Sequence, residues 1–211
     1  MVPNLIEWTI VTVGQWNPHI FSPQWVGNNL FHVPTVETEL AVGPAFTNVR
    51  YHTPNLILIP SPDRLIVGLK NFEDATLGLM ETTVKNVLQL LTHTPVSGLG
   101  INFGFIEDEP AAQLLRSFEL TDTGQIGDAG YRVQATSVTR QIVGETATFL
   151  LKMTYEDGKV RFHFNFNHPI TTAEQGARLL QGRVIECRNL AAAFLDAVFN
   201  LQTQEVLSNG A

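Results

Sequence analysis

Apolar and polar residues alternate most regularly in the segment KVRFHFNFNHP, residues 159–169. In an extended chain, successive side chains point to opposite sides, so the apolar residues share one side and the polar residues share the other. The apolar side carries Val160, Phe162, Phe164 and Phe166, and the polar side carries Arg161, His163, Asn165 and Asn167. The alternation therefore predicts a strand with one buried face and one polar face.

The preceding segment, TATFLLKMTY, joins this strand at Asp157-Gly158, a strong signal for a two-residue hairpin turn. The two segments therefore predict a β-hairpin whose apolar face belongs to the core. Further strands are predicted where β-branched and aromatic residues lie between turn residues. They span about residues 4–13, 37–42, 47–51, 55–60, 64–69, 98–106 and 131–142.

Apolar residues recur at helical spacing over two long segments, about residues 72–92 and 171–201. Asn71 can cap the first segment, and Thr171 with Glu174 has the spacing of a capping box at the start of the second. A shorter helix is predicted over residues 108–118, with proline in its first turn. The chain therefore combines many strands with two long helices.

This pattern predicts one α+β domain over residues 1–211, with a mostly antiparallel sheet and the two long helices on one face. A hairpin followed by a long helix occurs twice, which suggests two pseudo-repeated β-β-α halves packed side by side. We place these halves at residues 1–120 and 121–205, and expect residues 206–211 to form a frayed tail.

Composition narrows the class of function. The chain has 211 residues, of which 44% are hydrophobic and 16% are charged, and its formal net charge is −7. A net negative charge without basic runs disfavours nucleic acid as a partner. No window reaches the apolar length of a membrane span, and a single cysteine suits a reducing compartment. We expect a cytoplasmic protein that binds neither nucleic acid nor membrane.

No local motif specifies a reaction. Cys187 falls on the apolar stripe of the last helix, and no two of the six histidines have metal-ligand spacing on one element. Asp122-Thr123-Gly124 is too short a match to indicate an aspartic protease. We therefore predict no catalytic residues, no metal and no cofactor, and favour a protein that is not an enzyme.

The polar side of the 159–169 strand is the first candidate site. Arg161, His163 and Asn165 can all form hydrogen bonds, with Lys152 and Thr154 opposite them in the hairpin. Such a face can be solvated, form an interface, or line a ligand pocket between the sheet and the helices. The alternation alone does not choose among these three.

A long aromatic segment is the second candidate site. Residues 14–36 are interrupted by three prolines and lack regular periodicity, yet they contain Trp16, Phe21 and Trp25. Long loops of this kind are usually functional or disordered, and aromatic residues dominate binding hot spots. The three rings either close one end of the sheet or form a docking surface for a partner.

These signals favour a non-catalytic binding or assembly protein that acts through a homodimer or a protein partner. The dimer is expected because the chain has few charges and an unexplained aromatic loop. The alternative is a small-molecule-binding domain or an enzyme, with its pocket lined by Arg161, His163 and Asn165.

Overall fold

A computed structural model describes residues 1–43 and 46–203, without the side chains of residues 43 and 46–48. The predicted tail at residues 206–211 lies outside the described residues. The described strands form one sheet, and every pair in it is antiparallel. They are β1 (Val2–Pro3), β2 (Thr9–Gly14), β3 (Glu37–Gly43), β4 (Phe46–His52), β5 (Leu56–Pro60), β6 (Arg64–Leu69), β7 (Val96–Glu107), β8 (Ala135–Val143), β9 (Thr148–Glu156) and β10 (Lys159–Pro169).

The described helices are mostly short. They are α1 (Pro23–Val26), α2 (Asp74–Leu90), α3 (Ala112–Leu115), α4 (Thr123–Asp128), α5 (Ala173–Leu179) and α6 (Arg183–Phe199). The predicted α+β class and the mostly antiparallel sheet are thus confirmed. The first long helix is also present as α2, with each end two residues inside the predicted boundary.

The prediction of one continuous helix over residues 171–201 is wrong, because the chain turns between α5 and α6. Gly182 adopts a left-handed conformation with φ of 75°, which residues with a side chain rarely adopt. Glu81 of α2 accepts hydrogen bonds from the backbone N–H groups of Gly182 and Val184, at 2.7 and 3.0 Å. The carboxylate of one helix therefore caps the start of another.

The predicted helix over residues 108–118 is much shorter than expected. The strand β7 continues to Glu107, and helical structure is limited to α3 and a 3-10 turn at Arg116–Phe118. Similarly, the predicted first strand begins only at Thr9, since Leu5–Glu7 form a 3-10 turn.

The strand order divides the sheet into two halves with similar connectivity. The order is β3-β4-β5-β6-β2-β7-β10-β9-β8, and β2 pairs with β7 at the centre. The first half runs from β2 at the centre through α1 to β3 at one edge, and it returns through β4 and β5 to β6 before α2 follows. The second half runs from β7 at the centre through α3 and α4 to β8 at the other edge, and it returns through β9 to β10 before α5 and α6 follow. In this order α2 is the last element of the first half, and β7 is the first strand of the second half.

The core lies between one face of the sheet and the helices α2, α5 and α6. On this face Phe164 is fully buried, with its ring centroid 6.0 Å from that of Phe105 and 5.5 Å from that of Phe149. Phe194 of α6 packs edge-on against Phe164 at 6.0 Å. The predicted apolar face of the hairpin thus forms the core, and the helices cover it.

We expect Phe164→Asp to unfold the protein. A carboxylate at this position would be buried among aromatic rings without a partner, which costs several kcal/mol against a typical total stability of about 5–15 kcal/mol. The matched control is Asn167→Asp on the same strand, because Asn167 is exposed on the opposite face. Circular dichroism melting should show a cooperative transition for Asn167→Asp alone. A cooperative melt of Phe164→Asp near the wild-type temperature would contradict the core assignment.

Candidate functional site

The face of the sheet that carries none of the described α-helices contains a cavity of about 900 Å³. Successive side chains of a strand point to opposite faces of the sheet. Asn165 therefore points into the cavity, whereas its sequence neighbours Phe164 and Phe166 point into the core. The cavity spans β5, β6, β2, β7 and β10, and the turn at Leu5–Glu7 borders it. We call this cavity the trough.

The floor of the trough is apolar. Five β-branched side chains from three adjacent strands line it: Val11, Val13, Ile57, Ile59 and Ile66. Gly68 and Gly100 lie on either side of β2 in the same region, and neither has a side chain to fill the space. The floor therefore offers an apolar surface for a ligand to cover.

A row of amide side chains crosses the floor at one end. Thr9, Asn102 and Asn165 are cross-strand neighbours on β2, β7 and β10. Asn102 Nδ2 donates to Thr9 Oγ1 at 3.1 Å, and Asn165 Nδ2 donates to Asn102 Oδ1 at 2.5 Å. Asn167 extends the polar lining one row further along β10. We call these four residues the amide row.

The rim beside the amide row is formed by Glu7 and His163. His163 Nδ1 lies 3.3 Å from Glu7 Oε2, and both side chains are about one-third exposed. The 3-10 turn is anchored on β7 from both sides, because the backbone N–H of Asn4 and the indole Nε1 of Trp8 both donate to the carbonyl oxygen of Gly104, at 2.9 and 2.7 Å. Glu7 lies directly over Gly104, where a Cβ atom would come within 2.6 Å of the Glu7 Cβ. The rim therefore depends on a glycine at position 104.

Two cations also line the trough, one on β4 and one directly after β6. Lys70 is exposed, and the Arg50 side chain is 41% exposed with Nη1 3.6 Å from Glu39 Oε1. Arg50 Nε is buried and forms no hydrogen bond to a described residue. Glu39 also approaches His52, with 3.0 Å between Oε2 and Nε2. The charge of Arg50 is thus already balanced by a carboxylate of the same face.

The structure brings together two of the three predicted ligand-binding residues. His163 and Asn165 line the trough, whereas Arg161 lies beyond its lining and forms an ion pair with Glu156 at 2.7 Å. The trough lies on the face away from the helices, whereas the sequence predicts a pocket between the sheet and the helices, where aromatic side chains such as Phe164 and Phe194 pack together. Sequence reasoning missed Thr9 and Asn102, which reach the site from strands distant in the sequence.

The aromatic segment folds back onto its own chain. Trp16 and Phe21 are 4% and 1% exposed, and Trp16 Nε1 donates to the Thr12 carbonyl oxygen at 3.1 Å. Tyr51 OH donates to the carbonyl oxygen of Phe21. Trp25 is half-buried, with its ring 5.4 Å from that of Phe21. A docking surface made of all three rings is therefore wrong for this conformation, because two of them are in the core.

The buried thiol of Cys187 is not prepared for chemistry. Burial raises its pKa to about 12, with a smaller opposing effect of Arg183. The thiolate that would act as nucleophile or metal ligand is therefore almost absent near neutral pH. Within the described ranges, no three His, Cys, Asp or Glu side chains are grouped so that they could hold a metal ion.

Comparisons with known proteins do not assign the trough to a family. No family model, curated protein or solved structure matches this chain. Among residues 1–43 and 46–203, no helix combines the length and the apolar character needed to cross a bilayer. A function for the trough therefore has to be inferred from its geometry.

We expect Gly104→Ala to destabilise the protein by about 1–3 kcal/mol, because the added methyl group collides with Glu7. The matched control is Gly98→Ala on the same strand and face, where the nearest atom is 3.8 Å from the added carbon. Thermal melting should show a loss of about 2–10 °C for Gly104→Ala and little change for Gly98→Ala. Equal melting temperatures for the two variants would contradict the close contact between Glu7 and Gly104.

We expect Cys187 to resist a thiol reagent in the native protein at pH 8 and to react fully once urea unfolds the chain. Its raised pKa leaves roughly one thiolate in ten thousand at that pH, and the side chain is buried. Ser97→Cys, at an exposed position, provides the positive control. Native labelling of wild type as fast as that of Ser97→Cys would contradict the buried, neutral thiol.

Proposed function

We propose that the protein is a non-catalytic binding protein whose trough takes an elongated, uncharged amphipathic small molecule. The observation that carries this proposal is a cavity of about 900 Å³ with an apolar floor and an amide row at one end. Small-molecule sites typically have about 300–1,000 Å³ and combine apolar walls with a few placed polar groups. The trough has both properties.

The floor favours an extended apolar body. From β5 to β10 the trough crosses four strand spacings, a distance of about 19 Å at about 4.8 Å per spacing. Ile57, Ile59 and Ile66 lie on one side of β2, and Val11 and Val13 lie on β2 itself. Each methylene group buried there contributes about 0.8 kcal/mol. A hydrocarbon chain or a row of fused rings laid across the strands fits this surface.

The amide row favours a head group that both donates and accepts hydrogen bonds. Within the described part of the chain, Asn165 Oδ1 and the Asn167 amide have no hydrogen-bond partner, so acceptor and donor atoms remain for a ligand. A hydroxyl or amide head group can pair with both, and a typical hydrogen bond contributes about 0.5–1.5 kcal/mol. The side chains of the row are themselves uncharged.

Two of the charged groups at the rim already have a partner. Glu7 lies 3.3 Å from His163 and Arg50 lies 3.6 Å from Glu39, whereas Lys70 forms no ion pair with a described residue. His163 and Glu7 also lack the third member of a nucleophilic set, because no described hydroxyl or thiol is hydrogen-bonded to His163. Both points support binding of a neutral molecule over turnover of a substrate.

We expect decanamide and decanol to raise the melting temperature, and decanoate to do so much less. The three share one hydrocarbon chain, so the difference isolates the head group. At one hundred times the dissociation constant a ligand stabilises the native state by about 2.7 kcal/mol, or roughly 5–10 °C for a chain of this size. Calorimetric titration then gives the dissociation constants.

Two variants locate the binding site. Asn165→Leu removes the acceptor and donor of the amide row and should weaken decanamide binding about two- to tenfold. Asn189→Leu makes the same chemical change on an exposed part of α6, outside the trough, and should leave binding unchanged. No binding of any of the three compounds would refute the proposed ligand class. Equal affinities for both variants would refute the amide row as the head-group site.

A further inference from the structure

The two ends of the sheet differ in how they are protected. At one end β8 pairs with β9 along its whole length, from Ala135 opposite Glu156 to Val143 opposite Thr148. On its other side, the backbone groups of β8 form no hydrogen bond to any described residue. A nine-residue strand therefore presents a row of unpaired N–H and C=O groups.

Unpaired edges are usually blocked against association, and β8 lacks the common devices. Prolines, inward-pointing charges, lysines, bulges and very short strands all serve this purpose in natural sheets. The sequence ATSVTRQIV contains no proline, glycine or lysine, and its single charge is Arg140. Its pairing with β9 also runs in continuous register without a bulge. This edge is open to another strand.

We propose that β8 pairs with β8 of a second copy of the chain, antiparallel about a two-fold axis through Thr139. Closed two-fold dimers are the commonest soluble assembly, and addition of a strand to a free edge is a recurring mode of recognition. About this axis Ala135 lies opposite the partner's Val143, Ser137 opposite the partner's Gln141, and Thr139 opposite its own copy. All nine residues are then paired.

The side chains are self-complementary in this register. Val143 is 75% exposed, and it would contact the partner's Ala135, with the partner's Val133 one row away. Val133 is itself 42% exposed. Arg140 would lie opposite the partner's Val138 rather than opposite another arginine. The pairing covers two exposed valines on each copy and places no like charges directly opposite each other, while the two Arg140 side chains lie on a diagonal about 7–8 Å apart.

The opposite edge, β3, is the rival. Leu40 and Val42 are 63% and 76% exposed there, so apolar surface alone would favour it. However, β3 carries Glu37 and Glu39 within seven residues. Pairing of two β3 strands about Leu40 would place the two Glu39 side chains on the same kind of diagonal that the two Arg140 side chains occupy in the β8 pair. β3 carries two charges in seven residues and β8 carries one in nine, so β8 offers the longer and less charged edge.

The size of the contact sets its expected strength. Nine residues of strand extend about 30 Å, and the strip is one strand wide. It buries less than the roughly 800 Å² per partner of a standard interface, so we expect a weak, reversible dimer with a micromolar or higher dissociation constant. This dimer does not involve Trp16 or Phe21, and it is independent of ligand binding in the trough.

Disulfide trapping tests the register directly. Thr139→Cys places two thiols opposite each other across the axis, with Cβ atoms about 4.5–5.5 Å apart, close enough to bond after a small adjustment. Cys187 is buried and does not compete. Lys152→Cys is the matched control on the same face of β9, where three strand spacings separate the two copies by about 14 Å. Leu40→Cys tests the rival edge.

In oxidised glutathione at high micromolar protein, we expect Thr139→Cys to form a covalent dimer while Lys152→Cys and Leu40→Cys stay monomeric. Sedimentation of the wild type should show mass rising with concentration, and Thr139→Lys should abolish that rise by placing two ammonium groups face to face. The proposal is overturned if Thr139→Cys cross-links no faster than Lys152→Cys, if Leu40→Cys cross-links faster, or if the wild type is monomeric at every concentration.

Discussion

The asymmetry of β7 is the constraint on which the rest of the structure depends. Toward the helices this strand directs Leu99, Ile101, Phe103 and Phe105, all of which are buried. Toward the other face it directs Gly98, Gly100, Asn102 and Gly104. The strand therefore builds the core on one side and leaves almost no side-chain volume on the other. Because β7 also pairs with β2 and β10, it joins the two halves of the sheet at this point.

The trough follows from this asymmetry. The absence of side chains at Gly98 and Gly100 leaves Val11 and Val13 of β2 uncovered on the helix-free face. Gly104 allows the turn at residues 5–7 to approach the backbone of β7, which brings Glu7 to His163. Asn102 is the one polar side chain that β7 contributes, and its amide connects Thr9 to Asn165. One strand thus sets the depth, the rim and the polar end of the site.

The sequence predicts the local elements well and the site only in part. The hairpin of β9 and β10 can be predicted from its alternation and from Asp157-Gly158, and the helix α2 can be predicted from its apolar spacing. Each of these signals lies within a few residues of the chain. Thr9, Asn102 and Asn165 could not be grouped, because their contact depends on the register of three strands separated by more than sixty residues. The glycines of β7 do occur at even spacing, a visible sign that one face of this strand is bare.

Two further outcomes could not be read from the pattern. The apolar stripe over residues 171–201 continues through the break at Gly182, since spacing alone does not show a change of chain direction. Trp16 and Phe21 are buried in the core, where Tyr51, a residue on a different strand, donates to the Phe21 carbonyl oxygen. Aromatic composition indicates that a segment packs against something, but it does not distinguish its own core from a partner.

The central claim, that the helix-free face is a ligand site, is tested most directly by isoleucine methyl spectra recorded during titration with decanamide. Ile57, Ile59 and Ile66 line the trough, whereas Ile10 and Ile101 are buried on the core side of adjacent strands. If the trough binds decanamide, the methyl resonances of Ile57, Ile59 and Ile66 should show saturable chemical-shift changes, and those of Ile10 and Ile101 should change little. Saturable shifts confined to core or helical isoleucines, or no shifts at saturating ligand, would contradict it.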